Sequence, residues 1–240
     1  LEAVAKADTI VFDKTGTLTH ACPRVAKIFP FNGKEEHEVL RLAACLEEHF
    51  PHSMANAVVE EARRRGLHHE ERHAKVEYLV AHGIASSVDG EQVRIGSAHF
   101  IFEDEKVTIP EGEREKFDAL PPEYSQLYLA IDGVLAAVIC ISDPLREEAR
   151  DVLSALRGLG VRSAVMLTGD SPRTAAAIAR EVGVDGFRAG VLPADKADYV
   201  AALRREGHTV LMVGDGINDS PALSEADAGI AISDGAAIAR

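Results

Sequence analysis

The chain has 240 residues, enough for one large domain or two modest ones, and we expect two. Its 26 basic and 39 acidic residues give a net charge of −13 with no long basic block, which argues against nucleic acid or an anionic membrane as a partner. No apolar run reaches the roughly 18 residues of a membrane-spanning helix, and residues 1–10 lack an export signal, so this piece is expected to be soluble. Three cysteines in apolar surroundings are expected to be buried thiols of a reducing compartment: Cys22, Cys45 and Cys140.

The first predicted element is a short strand that ends at an aspartate. In TIVFDKTGTLT, residues 9–19, the β-branched and aromatic run that precedes Asp13 is typical of a buried strand, and Gly16 ends it. A carboxylate at the C-terminal end of a parallel strand would lie where open α/β sheets bind their ligands. Alternatively, Asp13 only caps a turn, as aspartates close to glycine often do.

Residues 21–132 have a different pattern, which predicts a separate α+β module. Two amphipathic helices come first, over 34–50 and 53–66, and Ser53 is the expected N-cap of the second helix. Short strands follow, with a hairpin turn at Asp89-Gly90 between the second and third of them. These strands are predicted at 75–80, 84–88, 92–96 and 127–131.

From residue 133 onwards, strand-like and helix-like segments alternate, which predicts βαβ units and a parallel sheet. The strand-like segments are 134–142, 162–170, 209–216 and 227–233, and the first strand of the chain is assigned to the same sheet. The predicted fold is therefore α/β, with a doubly wound parallel sheet from residues 1–20 and 133–240 and an inserted α+β domain over 21–132.

Polar side chains at three other places would gather around Asp13. Thr168 follows one predicted strand, Lys196 lies in the segment LPADK, and Asp215 and Asp219 follow another strand. Each signal is weak alone, because a Gly-Asp-Gly turn is usually only a turn and a helical lysine usually faces solvent. In a doubly wound sheet, however, these loops share one edge and would surround one crevice.

Phosphoryl transfer is the chemistry that needs such a set. Asp13 is a carboxylate nucleophile that could form an aspartyl phosphate. Asp215 would bind Mg²⁺, which prefers carboxylate oxygens and water and bridges to phosphate.

The remaining polar groups would stabilise the transferred group. Lys196, the Thr168 hydroxyl and the backbone N–H groups of the Lys14–Gly16 turn would neutralise charge on its three equatorial oxygens. Asn218 and Asp219 would orient the waters of Mg²⁺ and the Lys196 side chain.

At these positions the sequence resembles the P-type ATPases, within the wider haloacid dehalogenase-like superfamily. DKTGTLT (13–19) matches the phosphorylation motif of that family, TGD (168–170) its second motif, and GDGINDSPAL (214–223) its hinge motif with a single Ser-for-Ala difference. Order and spacing agree over nearly all of the chain. The resemblance implies these roles: catalysis by Asp13, Lys14, Thr15, Thr168, Gly169, Asp170 and Lys196; Mg²⁺ binding by Asp13, Thr15 and Asp215; and support around the metal from Gly216, Asn218 and Asp219.

Thr15 separates this chain from the related phosphatases. They carry a second aspartate two residues after the nucleophile, a general acid that also helps water to hydrolyse the acyl phosphate. A hydroxyl at this position predicts a long-lived phosphoenzyme, which suits a transport cycle.

The inserted module would be the nucleotide-binding domain. Its short length resembles the heavy-metal (type IB) branch, which carries Ser-Glu-His-Pro at a helix start with a glutamate five residues before the histidine. Matching ANAVV places His52 on that histidine and Glu47 on the glutamate, although Pro51 and Ser53 differ from the branch. The alternative for His52 is a helix-start histidine without a ligand.

Two glycines of the module are further candidates for nucleotide contacts. The branch has Gly-x-Gly where this chain has AHG, so only Gly83 remains and Ala81 replaces the first glycine. Gly96 and Ser97 fall where the branch has Gly-Asn, but Gly-Ser before a helix is also an ordinary N-cap. Asp143 and Arg146 resemble the segment that re-enters the phosphorylation domain, and neither is assigned a catalytic role.

The resemblance implies the cytoplasmic ATP-binding and phosphorylation unit of a heavy-metal-transporting membrane ATPase. ATP and Mg²⁺ would be its cofactors, and ATP would transfer its γ-phosphoryl group to Asp13. The other partners would be the actuator and transmembrane domains of the same protein, with the transported metal ion bound outside this piece.

Two other functions are compatible with parts of the pattern. A free-standing phosphatase could use the inserted module as a cap, but Thr15 argues against it. A receiver-like phospho-switch also has an acceptor aspartate, a threonine and a lysine on a parallel sheet. It would be about half this size, however, would lack a large insertion, and would not take phosphate directly from ATP.

Overall fold

The computed structural model describes residues 2–50, 52–67, 77–79 and 83–232, which fall into two compact units. One unit contains Leu1–Cys22 and Asp143–Arg240, and the other contains Pro23–Ser142. The elements in chain order are α1 (Glu2–Ala5), β1 (Thr9–Asp13), β2 (Arg24–Pro30), α2 (Glu36–Glu47), α3 (Ser53–Arg64), β3 (Glu77–Leu79), β4 (Gly83–Val88), β5 (Glu91–Gly96), α4 (Arg114–Asp118), β6 (Ser125–Ile131), β7 (Val134–Ser142), α5 (Ala149–Gly158), β8 (Ser163–Leu167), α6 (Pro172–Val182), β9 (Gly186–Arg188), α7 (Asp195–Arg205), β10 (Val210–Asp215), α8 (Ser220–Glu225) and β11 (Ala228–Ile232).

The first unit, here called the parallel-sheet unit, is built on five strands in the order β11-β10-β1-β8-β9. All of their pairings are parallel. One face of the sheet packs against Leu153 of α5 and Ile178 of α6, and the other against Val200 of α7 and Ala222 of α8. Because apolar residues of β1 alternate between these two cores, the strand is buried on both faces. The predicted doubly wound α/β fold is confirmed.

The second unit, here called the antiparallel-sheet unit, has six strands in the order β2-β7-β6-β5-β4-β3. Helices α2 and α3 contribute to a core with one face of this sheet, where Val39, Leu46 and Val58 are fully buried. A second core contains aromatic side chains such as Phe31, Phe100 and Tyr128. The predicted hairpin turn is present, since Asp89 and Gly90 both have positive φ between β4 and β5.

The predicted place of residues 134–142 in the parallel sheet is wrong. These residues form β7, which pairs antiparallel with β2 and β6 in the other sheet, so the second boundary between the units follows Ser142 instead of residue 132. The reason is the two-residue turn Asp132-Gly133, in which both residues have positive φ and which joins β6 directly to β7. Such a turn favours a hairpin over a parallel crossover.

Three smaller expectations also differ from the structure. The inserted unit begins with a strand, β2, instead of a helix. Buried and exposed residues do not alternate regularly along β2, so its sequence lacks the alternation of apolar and polar residues that indicates a strand. His52, and not Ser53, is the N-cap of α3. Cys22 is exposed, whereas Cys45 and Cys140 are buried as predicted.

Among the described residues, no helix combines the length and apolar character needed to cross a bilayer.

Candidate active site

Asp13 ends the central strand of the parallel sheet. β1 lies between β10 and β8, and the carboxyl ends of these parallel strands meet at one edge. Thr168 directly follows β8 and Asp215 is the last residue of β10, so both lie at this edge. Asp13 itself is only 7% exposed. The fold therefore places a desolvated carboxylate among polar groups from neighbouring strands.

Lys196, in the first turn of α7, bridges two buried carboxylates. Its Nζ lies 3.0 Å from Asp13 Oδ1 and 2.8 Å from Asp219 Oδ1. Asp219 is completely buried, and its other oxygen, Oδ2, accepts a hydrogen bond of 2.8 Å from the backbone N–H of Asp215. Asp219 thus connects Lys196 to the end of β10, which fixes the lysine beside Asp13.

Burial raises the pKa of Asp13 to about 6, because a desolvated carboxylate is harder to ionise. The positive charge of Lys196 opposes this rise, and the negative charge of Asp219 adds to it. For Lys196, burial favours the neutral amine, but the two carboxylates outweigh that effect and raise its pKa above the usual value. Lys196 is therefore a cation beside Asp13, and its charge offsets only part of the cost of ionising the buried Asp13 carboxyl.

In a chelating buffer, Asp13→Asn is expected to stabilise the protein increasingly as the pH rises. The folded-state pKa of Asp13 is raised, so its protonated form favours folding at low pH and this contribution is lost as the pH passes through about 6. The gain in free energy of unfolding should grow from about zero near pH 4 to roughly 2–3 kcal/mol near pH 7.5. Urea unfolding in EDTA at several pH values measures this gain. The control is Asp185→Asn, which makes the same change at an exposed aspartate that pairs with Arg157. A gain that does not change with pH would contradict the assignment.

Lys14 and Thr168 meet at a second acidic residue, Asp170. Lys14 Nζ lies 2.7 Å from Asp170 Oδ2, and both side chains are buried. The Thr168 hydroxyl donates a hydrogen bond of 2.8 Å to the same oxygen, and its own oxygen accepts from the backbone N–H of Asp170 at 3.1 Å. The Thr168 hydroxyl, which is predicted to neutralise a phosphate, and the Lys14 side chain are thus both ordered by one carboxylate.

The carboxylate oxygens at this edge of the sheet are suitable ligands for Mg²⁺. Asp215 Oδ1 accepts hydrogen bonds from the backbone N–H groups of Ile217 and Asn218, and Oδ2 accepts one of 2.6 Å from the Asn218 amide. Burial would raise the pKa of Asp215, but these hydrogen bonds and the charge of Lys196 lower it below its usual value, so the group is ionised. An ideal Cβ on Gly16 would lie 3.8 Å from Asp215 Cβ, which places the turn after Asp13 beside this carboxylate.

Asp13 and Asp215 would supply the protein's carboxylate ligands. No group of three or more His, Cys, Asp or Glu side chains suited to a metal ion occurs in the described part of the chain. Mg²⁺ does not require one, because it commonly uses one or two carboxylates together with phosphate and water. The pair therefore fits a metal that binds together with a phosphate-bearing substrate.

One of the N–H groups of the Lys14–Gly16 turn, that of Gly16, already has a hydrogen-bond partner within the protein. Its N–H donates a hydrogen bond of 3.0 Å to Thr19 Oγ1. Gly16 has φ +76°, a left-handed conformation that glycine adopts without strain and that lets the chain turn back on itself here.

In the antiparallel-sheet unit, the structure brings Glu47 and His52 together. Glu47 is 2% exposed, and its Oε2 lies 3.2 Å from His52 Nε2 without the alignment of a hydrogen bond. His52 Nδ1 accepts from the backbone N–H of Ala55 at 3.3 Å, which makes His52 the helix cap. A buried carboxylate oxygen with no hydrogen-bond donor among the described residues is suited to a ligand that donates one.

The two candidate glycines face each other across the β4–β5 pairing. A Cβ on Gly83 would collide with the Phe100 ring and lie 2.6 Å from the carbonyl oxygen of Ile95, so packing alone requires glycine there. Ser97 Oγ accepts from the backbone N–H of Phe100 at 3.3 Å, although the N-cap of the helical segment His99–Asp104 is Ala98. Pro51 and Ala81 lie outside the described residues.

The pattern of haloacid dehalogenase-like hydrolases matches residues 7–227 of the sequence. The chain belongs to the haloacid dehalogenase-like hydrolase family. Among curated relatives, the zinc-exporting P-type ATPase of Mycobacterium marinum is 42% identical over 234 residues, which are 97% of this chain and 32% of that protein. Copper-transporting ATPase 1 of Rhizobium meliloti is 41% identical over 242 residues, which are 100% of this chain and 29% of that protein.

A solved structure agrees with these relatives. The catalytic domain of the CPx-ATPase CopB-B, described for its conformational changes upon nucleotide binding, has a TM-score of 0.73 and 26% identity. The match covers 96% of this chain and 79% of that one. The resemblance to heavy-metal P-type ATPases is confirmed, and the chain spans about a third of the length of the curated relatives it matches.

Two features of this haloacid dehalogenase-like site were missed in the sequence. One is the direct pairing of Lys14 with Asp170, which are 156 positions apart in the numbering. The other is a hydrogen bond of 2.7 Å from the Thr19 hydroxyl to Asp143. No sequence periodicity links residues so far apart, although Asp170 and Thr19 both lie within the motifs that were recognised.

Proposed function

We propose that this chain is the ATP-binding and phosphorylation region of a heavy-metal-transporting P-type ATPase, in which Asp13 accepts the γ-phosphoryl group of ATP. The observation that carries the proposal is the buried Asp13 carboxylate with Lys196 Nζ 3.0 Å away, at the carboxyl edge of a parallel sheet. Motif order and the matching transport ATPases support it.

In the proposed reaction, an Asp13 carboxylate oxygen attacks the γ-phosphorus in line with the bond to ADP. The new bond joins that oxygen to phosphorus, the bond between phosphorus and the bridging oxygen breaks, and ADP leaves with the bonding pair. Lys196 keeps Asp13 oriented and balances charge on the transferred group. Mg²⁺, bound by Asp13 and Asp215, would supply charge neutralisation and orient the phosphates.

Lys14 and Thr168 would contribute once the substrate is bound. Both contact Asp170 in the structure, so this carboxylate sets their positions beside Asp13. Thr15, with no acid-base group, would leave the acyl phosphate slow to hydrolyse. This suits an intermediate that waits for a later step of a transport cycle.

The antiparallel-sheet unit is proposed to bind the nucleotide. Glu47 is the strongest candidate contact because its Oε2 is buried without a hydrogen-bond donor among the described residues. His52, Gly83 and Gly96 stay candidates, and for His52 and Gly83 a local structural role would also account for the residue.

The full-length protein is proposed to carry an actuator domain, which completes hydrolysis, and transmembrane helices, which bind the transported ion. This region would then face the cytoplasm. The relatives named above export zinc and transport copper, so a heavy-metal ion is the proposed cargo, and its identity depends on residues outside this chain.

The proposal is tested by incubating the 240-residue chain with Mg²⁺ and γ-labelled ATP and quenching in acid. Wild type and Asp185→Asn should carry acid-stable label that hydroxylamine removes, and Asp13→Asn should carry none. Label that persists in Asp13→Asn would overturn the assignment of the acceptor. Rapid turnover of small phosphate esters without retained label would favour the phosphatase instead.

A further inference from the structure

The turn that follows Asp13 is tied to the segment that re-enters the parallel-sheet unit at residues 143–146. The Thr19 hydroxyl donates a hydrogen bond of 2.7 Å to Asp143 Oδ2. The same hydroxyl oxygen accepts from the backbone N–H of Gly16 at 3.0 Å. Asp143 therefore reaches the middle of the turn through a single side chain.

Backbone and side-chain contacts of the same segment reinforce this link. Arg146 donates from its backbone N–H to the Leu18 carbonyl oxygen at 2.8 Å and from Nε to the Thr17 carbonyl oxygen at 3.0 Å. The backbone N–H of His20 donates to the Pro144 carbonyl oxygen at 3.1 Å. The 143–146 segment thus contacts the chain on the C-terminal side of the turn residue by residue.

We propose that Asp143 is a positioning residue for phosphoryl transfer, acting through Thr19 on the turn that carries Lys14 and Thr15. This inference rests on the function proposed above. Among the described residues, the Asp143 side chain accepts its hydrogen bond from Thr19 and not from a group that contacts Asp13, so its effect would be exerted through the conformation of the turn.

The polarity of the link explains why a carboxylate is needed. An ionised carboxylate can only accept hydrogen bonds, so the Thr19 hydroxyl must direct its proton to Asp143 and keep its lone pairs for Gly16. A neutral amide could instead donate to the hydroxyl and compete with the Gly16 N–H. Asp143→Asn therefore preserves the size of the side chain, but it no longer forces the Thr19 hydroxyl to donate its proton to residue 143.

The burial of Asp143 points the same way. Its Oδ1 is buried and has no hydrogen-bond partner among the described residues. Burial of an unsatisfied acceptor is unfavourable, so stability alone does not account for a carboxylate here. Fixing the geometry of a catalytic turn does account for it.

The test measures phosphoenzyme formation by rapid quench at saturating ATP. Thr19→Val, which keeps the shape and removes the hydroxyl, and Asp143→Ala should lower the rate constant roughly 10- to 100-fold, as loss of a supporting residue typically does. The ATP concentration for half-maximal rate should change less than about twofold, because the nucleotide-binding residues are proposed to lie in the other unit. Thr19→Ser, which keeps the hydroxyl, should restore the rate.

Asp185→Asn is the matched control for a change that affects stability alone. The Asp185 carboxylate likewise accepts a hydrogen bond within the same unit, of 2.8 Å from the backbone N–H of Ala164, a residue outside the turn. Amide hydrogen exchange at Gly16 should speed up in Thr19→Val and not in Asp185→Asn. An unchanged rate constant in Thr19→Val, or an equal loss in Asp185→Asn, would overturn the positioning role alone. A wild type that acquires no label would remove the proposed function and this inference together.

Discussion

Lys196→Met is expected to lower the rate constant for phosphoenzyme formation by roughly two to three orders of magnitude, the usual effect of removing one electrostatic donor from a reacting centre. The same change should reduce the free energy of unfolding by about 3–5 kcal/mol, because two buried carboxylates lose the cation between them. Both carboxylate oxygens lie within 3.0 Å of Lys196 Nζ. Rapid-quench labelling and urea unfolding measure the two effects.

A double substitution separates the structural part of this effect from the catalytic part. In an Asp13→Asn background, Lys196→Met leaves one unpaired carboxylate instead of two, so the loss of stability should be clearly smaller than in wild type. Phosphorylation should be absent in both variants that carry Asp13→Asn, the single and the double one. A Lys196→Met protein that unfolds at the wild-type urea concentration would show that the bridge contributes no net stability.

Gly214→Ala is the second change for which a large effect is expected. An ideal Cβ at this position would lie 2.5 Å from Asp219 Oδ2 and 2.8 Å from Asp219 Cβ. Asp219 is completely buried, and its side chain accepts from Asp215 N–H and pairs with Lys196, so it has no room to move without breaking these contacts. We expect a loss of about 1–3 kcal/mol of stability from overpacking and a large fall in phosphorylation as Lys196 shifts.

Gly158→Ala is the matched control for this glycine. Gly158 ends α5, and a Cβ there would meet no atom within 4 Å. Alanine should leave stability unchanged or raise it by up to about 1 kcal/mol, because it reduces the conformational freedom of the unfolded chain. Thermal unfolding and phosphoenzyme labelling of the two variants test the comparison. Equal melting temperatures would mean that the backbone near Gly214 adjusts without disturbing Asp219.

The motifs made much of this site predictable because they are local. The strand TIVFD has three consecutive apolar residues before its aspartate, which indicates burial on both faces, and parallel neighbours then place Asp13 at the ligand-binding edge. The approach of Lys196 to Asp13 follows from the same rule, since loops after parallel strands share one edge. The sequence did not predict which lysine pairs with which carboxylate, because a lysine side chain can reach several of them. Only the packed structure shows that Lys14 pairs with Asp170.

Residues 134–142 show why a strand pattern does not identify its sheet. The run VLAAVICIS is buried at seven of its nine positions, so its apolar residues fit the interior of either sheet. What decides its place is the turn before it. The φ values of Asp132 and Gly133, +50° and +79°, direct the chain back along β6. A two-residue Asp-Gly turn is a hairpin signal that the sequence carried and that the alternation of segments obscured.

The sequence by itself determined the α/β fold class, the strand that ends at Asp13 and the motif residues around it, because each depends on local pattern or on spacing within a motif. Only the tertiary structure decided which charges pair, which sheet takes β7 and how Asp143 reaches the turn through Thr19. These outcomes depend on contacts between residues far apart in the chain, and the free energies that select among them arise only when the chain is packed.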